Sequence, residues 1–195
     1  MHELARTEYA QLRPRFGDIA HCRALVFSLL EGNHAGRAFV DRPENPSVAF
    51  LALTCEFWFV AGDAGNNGFL RTLRDWALSE LRPPSGQMFF FPPDLAWQQA
   101  LQGLFADLQP MVIARIELDL DMERFEQQGW RHRVPAGFRV QRYGRALATG
   151  LGLEAFWGSL DRFLARGYGF AVLHGDEVVS RCHTVVVGDG RAEIS

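Results

Sequence analysis

YGFAVLHGDEVVSRCHTVVVGDGRAEIS, residues 168–195, holds the runs of β-forming residues on which the fold turns. Tyr168 to His174 and Val178 to Val187 are rich in aromatic and β-branched side chains, the kind that fit a pleated surface. Gly175-Asp176-Glu177 and Gly188-Asp189-Gly190 stand at the joins, where the backbone needs positive φ, so each join reads as a tight hairpin turn. Arg191 to Ser195 is then a further strand. Upstream, Phe138 to Tyr143 reads as a strand, and Arg145 to Thr149 and Glu154 to Arg166 as helical segments. The order predicted for this part of the chain is β-α-α-β-β-β.

Working back from there, Met111 to Leu120 alternates apolar and polar residues and is expected to be a strand, with a short helix over Met122 to Gln128. In the first half, Asp18 to Leu30 carries apolar residues at helical spacing, with Asp18 as cap and Gly32 as stop. Ser47 to Ala61 is a nearly unbroken apolar run that reads as buried strand, with room for a bend or hairpin near Thr54. A glycine-rich turn follows. Phe69, Leu70, Leu73, Trp76, Ala77 and Leu81 then share one helical face ahead of Pro83 and Pro84. Met88 to Phe91 is a short strand, and Asp94 is placed to cap a helix through Phe105. The fold class is α/β (α+β), in two parts: 1–110, a strand-and-helix domain, and 111–195, the opening half of a second mixed-sheet domain.

Composition narrows the function. The chain has 195 residues, 48% hydrophobic and 22% charged, which is ordinary globular usage. Sixteen Phe and five Trp foretell an aromatic core. A net charge of −3 with scattered basic residues argues against a nucleic-acid surface, and no apolar run is long enough to span a membrane. Three widely spaced cysteines, Cys22, Cys55 and Cys182, suit reduced thiols, so a cytoplasmic location is expected.

Several groups invite a chemical reading. Gly62, Gly65 and Gly68 lie between a strand and a helix, where backbone N–H groups can hold a phosphate, but the spacing matches neither a dinucleotide fingerprint nor a P-loop, and glycines there commonly serve positive φ. His21–Cys22 and Cys182–His183 lack metal-ligand spacing, so no metal is expected. Glu117, Asp119 and Asp121 would align on one strand face, as a cation site or as a solvent-facing edge.

RIELDLDMERF (115–125), PAGFRVQR (135–142), FWGSLDRFLARGYGFAVL (156–173) and DEVVSRCHTVVVGDGRAEIS (176–195) together resemble a bacterial branch of the GNAT-superfamily N-acetyltransferases, the group that includes zwittermicin-resistance-type enzymes. GNHAGRAFVDRPENPSVAFL (32–51) resembles the same group, so the first domain is expected to be GNAT-like as well. The resemblance implies transfer of an acetyl group from acetyl-CoA to a primary amine of a small molecule; neither nucleic acid nor membrane is expected as partner, and the sequence leaves a homodimer open. In such enzymes the fourth core strand splays from the fifth and its backbone takes the pantetheine arm; a following turn cradles the pyrophosphate. By resemblance that strand starts at Arg191, which makes Ile194 and Ser195 cofactor-binding, Glu193 the catalytic base, and Phe156, Trp157, Tyr168 and Ser180 acceptor-binding, with Thr184 a lesser candidate. The matching pattern stops before the pyrophosphate turn, so a truncated enzyme is expected. The alternative is a non-catalytic GNAT-like module that binds a partner protein through its sheet edge.

Overall fold

The structure, a computed structural model, describes residues 1–19, 21–54, 56–80, 88–114, 116, 118, 120–129 and 134–195. Two sheets make up the molecule. The first has the order β1-β2-β3-β4-β5, from β1 (His2–Glu3), β2 (Gly36–Val40), β3 (Val48–Leu53), β4 (Phe57–Gly62) and β5 (Phe89–Phe91). Its neighbours are antiparallel except β4 and β5, which run parallel with Phe57 opposite Phe89.

The apolar run of 48–61 is continuous because both faces of this sheet are buried. Ala49, Leu51, Leu53, Phe59 and Ala61 turn toward a core shared with α1 (Arg23–Leu30) and a 3₁₀ helix (Arg6–Arg15). Val48, Phe50, Ala52, Trp58 and Val60 turn the other way, toward α2 (Asn67–Glu80) and α3 (Leu95–Leu104). Successive strand side chains alternate faces, so a strand covered on both sides has no position to give to polar residues. The expected bend near Thr54 is the β3–β4 hairpin, closed with Glu56 at φ 65°.

The second sheet has the order β6-β7-β8-β9, all antiparallel: β6 (Phe138–Arg142), β7 (Gly169–His174), β8 (Glu177–Gly188) and β9 (Arg191–Ile194). Between β6 and β7 come α5 (Arg145–Ala148), α6 (Glu154–Trp157) and α7 (Leu160–Arg166). The single helix expected over Glu154 to Arg166 is two helices, because Gly158 adopts φ 76° and the Ser159 hydroxyl restarts the chain by accepting from the Arg162 N–H. One sheet face is packed by Tyr143, Leu153, Trp157, Phe163, Ala171 and Leu173.

Three further expectations are corrected. The first helix begins at Arg23 after Cys22 at φ 58°, so Asp18 is not its cap. Residues 36–40 form a strand that periodicity alone had not marked. Residues 111–114, 116, 118 and 120 lie in neither strand nor helix, although their alternation suits a strand; a strand is made by its ladder partner, and these described residues have none. Of the three aligned carboxylates, Asp121 caps α4 (Met122–Gln127) through the Arg124 N–H, and Glu117 and Asp119 lie outside the described residues, as does Cys55.

The two sheets share one joint. α1 lies against the far end of β8, where Gly188 comes so close that an added Cβ would sit 2.3 Å from the Ser28 nitrogen and 2.6 Å from the Ala24 oxygen. Val186 of β8 belongs to the core of the first sheet. Arg23 reaches Asp189 at 2.7 Å, the Asp189 N–H donates to Glu31 at 3.2 Å, and Asn33 donates to the Val187 carbonyl at 3.1 Å. Arg162 and Arg166 of α7 donate back to Gly32 and Asn33.

Candidate active site at the edge of the second sheet

β9 is the outermost strand of its sheet, and it meets β8 across an irregularity between Thr184 and Val186. Such a bulge re-aims the side chains beside it. Glu193 stands opposite Val186, half-buried, and Ile194 stands opposite Thr184. Ser195 exchanges both main-chain hydrogen bonds with His183, each at 3.0 Å. In an antiparallel ladder the next residue points its N–H and C=O away from the partner, so the main chain of Ile194 faces away from β8, on the side of β9 that has no strand partner among the described residues. The main chain of Ile194 is thus turned away from β8, while that of Ser195 is committed to it.

The four residues expected to bind the acceptor do not share one surface. Trp157 is 2% exposed, donates its indole N–H to the Thr184 carbonyl at 3.2 Å and packs edge-on against Phe163 at 5.6 Å. It holds up the bulged part of β8 and lines no open wall, as buried indoles with a satisfied N–H do. Phe156 is half-buried with its ring 6.3 Å from that of His34, at the joint between the two halves. Tyr168 and Ser180 are exposed, Tyr168 just before β7 and Ser180 on β8 opposite Val172. The Tyr168 N–H donates to the Thr184 hydroxyl at 3.0 Å, which ties the bulge to the start of β7.

Two further residues are of interest, Tyr143 and His183, the latter weighed in the sequence only beside Cys182. The Oη of Tyr143 and the Nδ1 of His183 are buried and have no hydrogen-bond partner among the described residues. Their rings are 6.2 Å apart, beside Gly169, where a Cβ would meet both. Burial lowers the pKa of His183, with Arg181 acting in the same direction, so its imidazole favours the neutral form. Burial raises that of the Tyr143 phenol, opposed by Arg181. No spacing motif marks such a pair, because it forms across strands.

The glycine turn is internally satisfied. Asp63 accepts from the Gly65 N–H at 2.8 Å, Asn66 caps α2 by accepting from the Phe69 N–H at 3.0 Å, and Asp41 accepts from the N–H and hydroxyl of Ser47. Gly62, at φ 94°, is required for contact: a Cβ there would lie 2.0 Å from the Ser47 oxygen. Two carboxylates at the turn disfavour an anion. Among the described residues no group of three His, Cys, Asp or Glu side chains is placed to hold a metal, and no helix is long and apolar enough to cross a membrane.

A family model described as GNAT acetyltransferase matches residues 16–195, spanning both sheets. The chain belongs to the GNAT acetyltransferase family. This GNAT chain is 26% identical over 201 residues to the uncharacterized N-acetyltransferase YdfB of Bacillus subtilis (strain 168), a match that covers 100% of the chain and 74% of that protein. Its fold is that of a GCN5-related N-acetyltransferase-like protein from Streptococcus suis 89/1591, with a TM-score of 0.66 at 19% identity over 97% of this chain and 74% of the other.

Proposed function

We propose that this GNAT acetyltransferase uses acetyl-CoA to acetylate a primary amine of a small molecule, and that β9 carries the reaction. The observation behind this reading is the combination of a half-buried carboxylate, Glu193, with an adjacent main chain at Ile194 turned away from β8. Strand-edge N–H and C=O groups suit the amides of a pantetheine arm, and acetyl-CoA bound there supplies the activated acetyl thioester. Glu193 takes the proton of the acceptor ammonium and so frees its lone pair for attack. Phe156 and Tyr168 are left to contact the acceptor, with Ser180 farther along β8, and Trp157 supports them from within the core.

The likeness of residues 115–195 to zwittermicin-resistance-type enzymes supports placing the chain in that branch. The first half is GNAT-like in the same sense: β4, a glycine turn, α2 and the parallel β5 succeed one another. There, however, β4 runs past its last pairing with β5, and Trp97, fully buried, donates its indole N–H to the Gly62 carbonyl at 2.8 Å. The carbonyl at that end of β4 is thus already committed to Trp97, and acetyl-CoA is assigned to the second half.

The test is release of free thiol from acetyl-CoA in the presence of a panel of small primary amines. Amine-dependent release is expected, and Glu193→Gln should lower kcat by about 10²-fold or more, the usual scale for a lost general base. Release that ignores the amine, or a Glu193→Gln variant with unchanged kcat at every pH, would refute the assignment of Glu193.

A further inference from the structure

One face of the second sheet carries polar groups that no protein partner answers. Ser195 is hydrogen-bonded opposite His183 on one side of β8, and Gly169 of β7 stands opposite His183 on the other. Opposed residues share a face, as do alternate ones, so His183, Arg181, Gly169 and Ser195 lie on the same side. Glu193, two residues before Ser195, joins them, because the extra residue of the β8–β9 irregularity is in β8. Ser180 and Cys182 fall on the opposite side. Over Gly169 lies the ring of Tyr143: a Cβ there would sit 2.6 Å from its Cδ2 and 2.9 Å from the His183 Cβ. Tyr143 is 7% exposed, and its Oη and the His183 Nδ1 are buried with no hydrogen-bond partner among the described residues. Arg181 is exposed, forms no hydrogen bond or salt bridge among the described residues, and its charge acts on both His183 and Tyr143.

We propose that this row is the acid end of the acceptor site: Arg181 and His183 hold a carboxylate of the small molecule whose amine is acetylated, and Tyr143 positions His183. A guanidinium presents parallel N–H groups in one plane, the match for the two oxygens of a carboxylate, and a single cation balances a single negative charge. Leaving a buried donor or acceptor unpaired is costly, and the pair is satisfied when the Tyr143 hydroxyl donates to Nδ1. With the ring centroids 6.2 Å apart, rotation of the two side chains closes that bond. His183 then carries its proton on Nε2, the nitrogen left to the open side of this half-buried ring, and Nε2–H becomes the second donor beside Arg181. Four strand steps of about 3.4 Å place the Arg181 main chain roughly 14 Å from that of Glu193, so a molecule held between the two side chains is short, with amine and acid at opposite ends. The ligand class is a small amino acid. Naming it the acceptor rests on the acetyl-transfer reading, whereas the carboxylate site itself does not.

The test is NMR titration of the 195-residue chain with glycine, β-alanine and γ-aminobutyrate, each against its carboxamide. At least one acid is expected to bind about tenfold or more tightly than its amide, the scale of a hydrogen-bonded charge pair. Arg181→Gln should bring that ratio close to one, and Arg181→Lys, which keeps the charge, should retain part of it. Because Arg181 is exposed, neither change asks the core to repack. In nitrogen spectra of the imidazoles, His183 should show the Nε2–H tautomer in the wild type and a mixture in Tyr143→Phe, a signature that lost packing alone does not produce. Equal binding of every acid and its amide, no binding of either, an Arg181→Gln variant that keeps the ratio, or a wild-type His183 protonated at Nδ1 would each overturn the proposal. So would phosphoethanolamine binding more tightly than all three acids. Preferential binding of acids by a chain that releases no thiol from acetyl-CoA with any amine would uphold the site and sink the acetyl-transfer reading alone.

Discussion

His34 shows how one side chain joins the two halves. It is 1% exposed, and its pKa is lowered to about 4, first by burial and next by Arg162, against the pull of its hydrogen bond with the Phe156 main chain. The fold therefore favours the neutral imidazole. Above the ordinary histidine value of 6.5 both folded and unfolded chains are neutral here, and the full contribution is present. Between pH 6.5 and about 4 the unfolded chain binds a proton that the folded chain resists, so stability falls with falling pH, by up to about 1.4 kcal/mol per pH unit. Urea midpoints at pH 7 and pH 5 should separate less in His34→Gln than in the wild type. Equal separation would mean that His34 is not the group responsible. At Trp97, replacement by Phe keeps most of the packing but strips the Gly62 carbonyl of its donor, and about 1–3 kcal/mol of stability should be lost in denaturant titrations. Neither role was legible in the sequence: a histidine after Asn33 and a tryptophan three residues after a cap look ordinary until the fold supplies what they touch.

Elements were legible where the signal is local. Asp94 caps α3 by accepting from the Trp97 N–H at 2.8 Å, as Pro92-Pro93-Asp94 ahead of an apolar helical face predicts. Asp94→Ala should cost about 1 kcal/mol and speed amide exchange in the first turn of α3. The β3–β4 and β8–β9 hairpins, with their breaks at Thr54 and Gly188-Asp189-Gly190, fall where turn residues interrupt β-forming runs. Elements whose identity depends on a distant partner were not legible. Gly36 to Val40 is a strand because His2–Glu3 and Leu53 to Ala49 flank it, and Met111 to Leu120 alternates well yet, in its described residues, forms no ladder. The candidate site divides the same way. Glu193 and Ile194 were placed by their strand, but the commitment of Ser195 to His183 and of Trp157 to Thr184 arises from cross-strand register.

At the scale of the molecule, α1 and the end of β8 make one joint from two sheets. Val186 completes the core of the first sheet while Gly188 allows the close approach to Ser28 and Ala24. The wild type should unfold in a single calorimetric transition. Gly188→Val forces β8 away from α1, should cost about 1–3 kcal/mol or more, and should split the melt into two steps as the halves uncouple. A single, unshifted transition in that variant would show that the joint does not couple them. The chain by itself determined the α/β class, the four strands from Phe138 onward, the aromatic cores and the resemblance to GNAT acetyltransferases, because propensity, period and turn chemistry act over a few neighbouring residues. Only the tertiary structure decided which strand edges stay open, which aromatics become core, and how His34, Gly188 and Val186 bind the halves together. Those outcomes depend on main-chain and side-chain atoms brought close from distant positions, more than a hundred residues apart for Arg23 and Asp189, and no local pattern carries that distance.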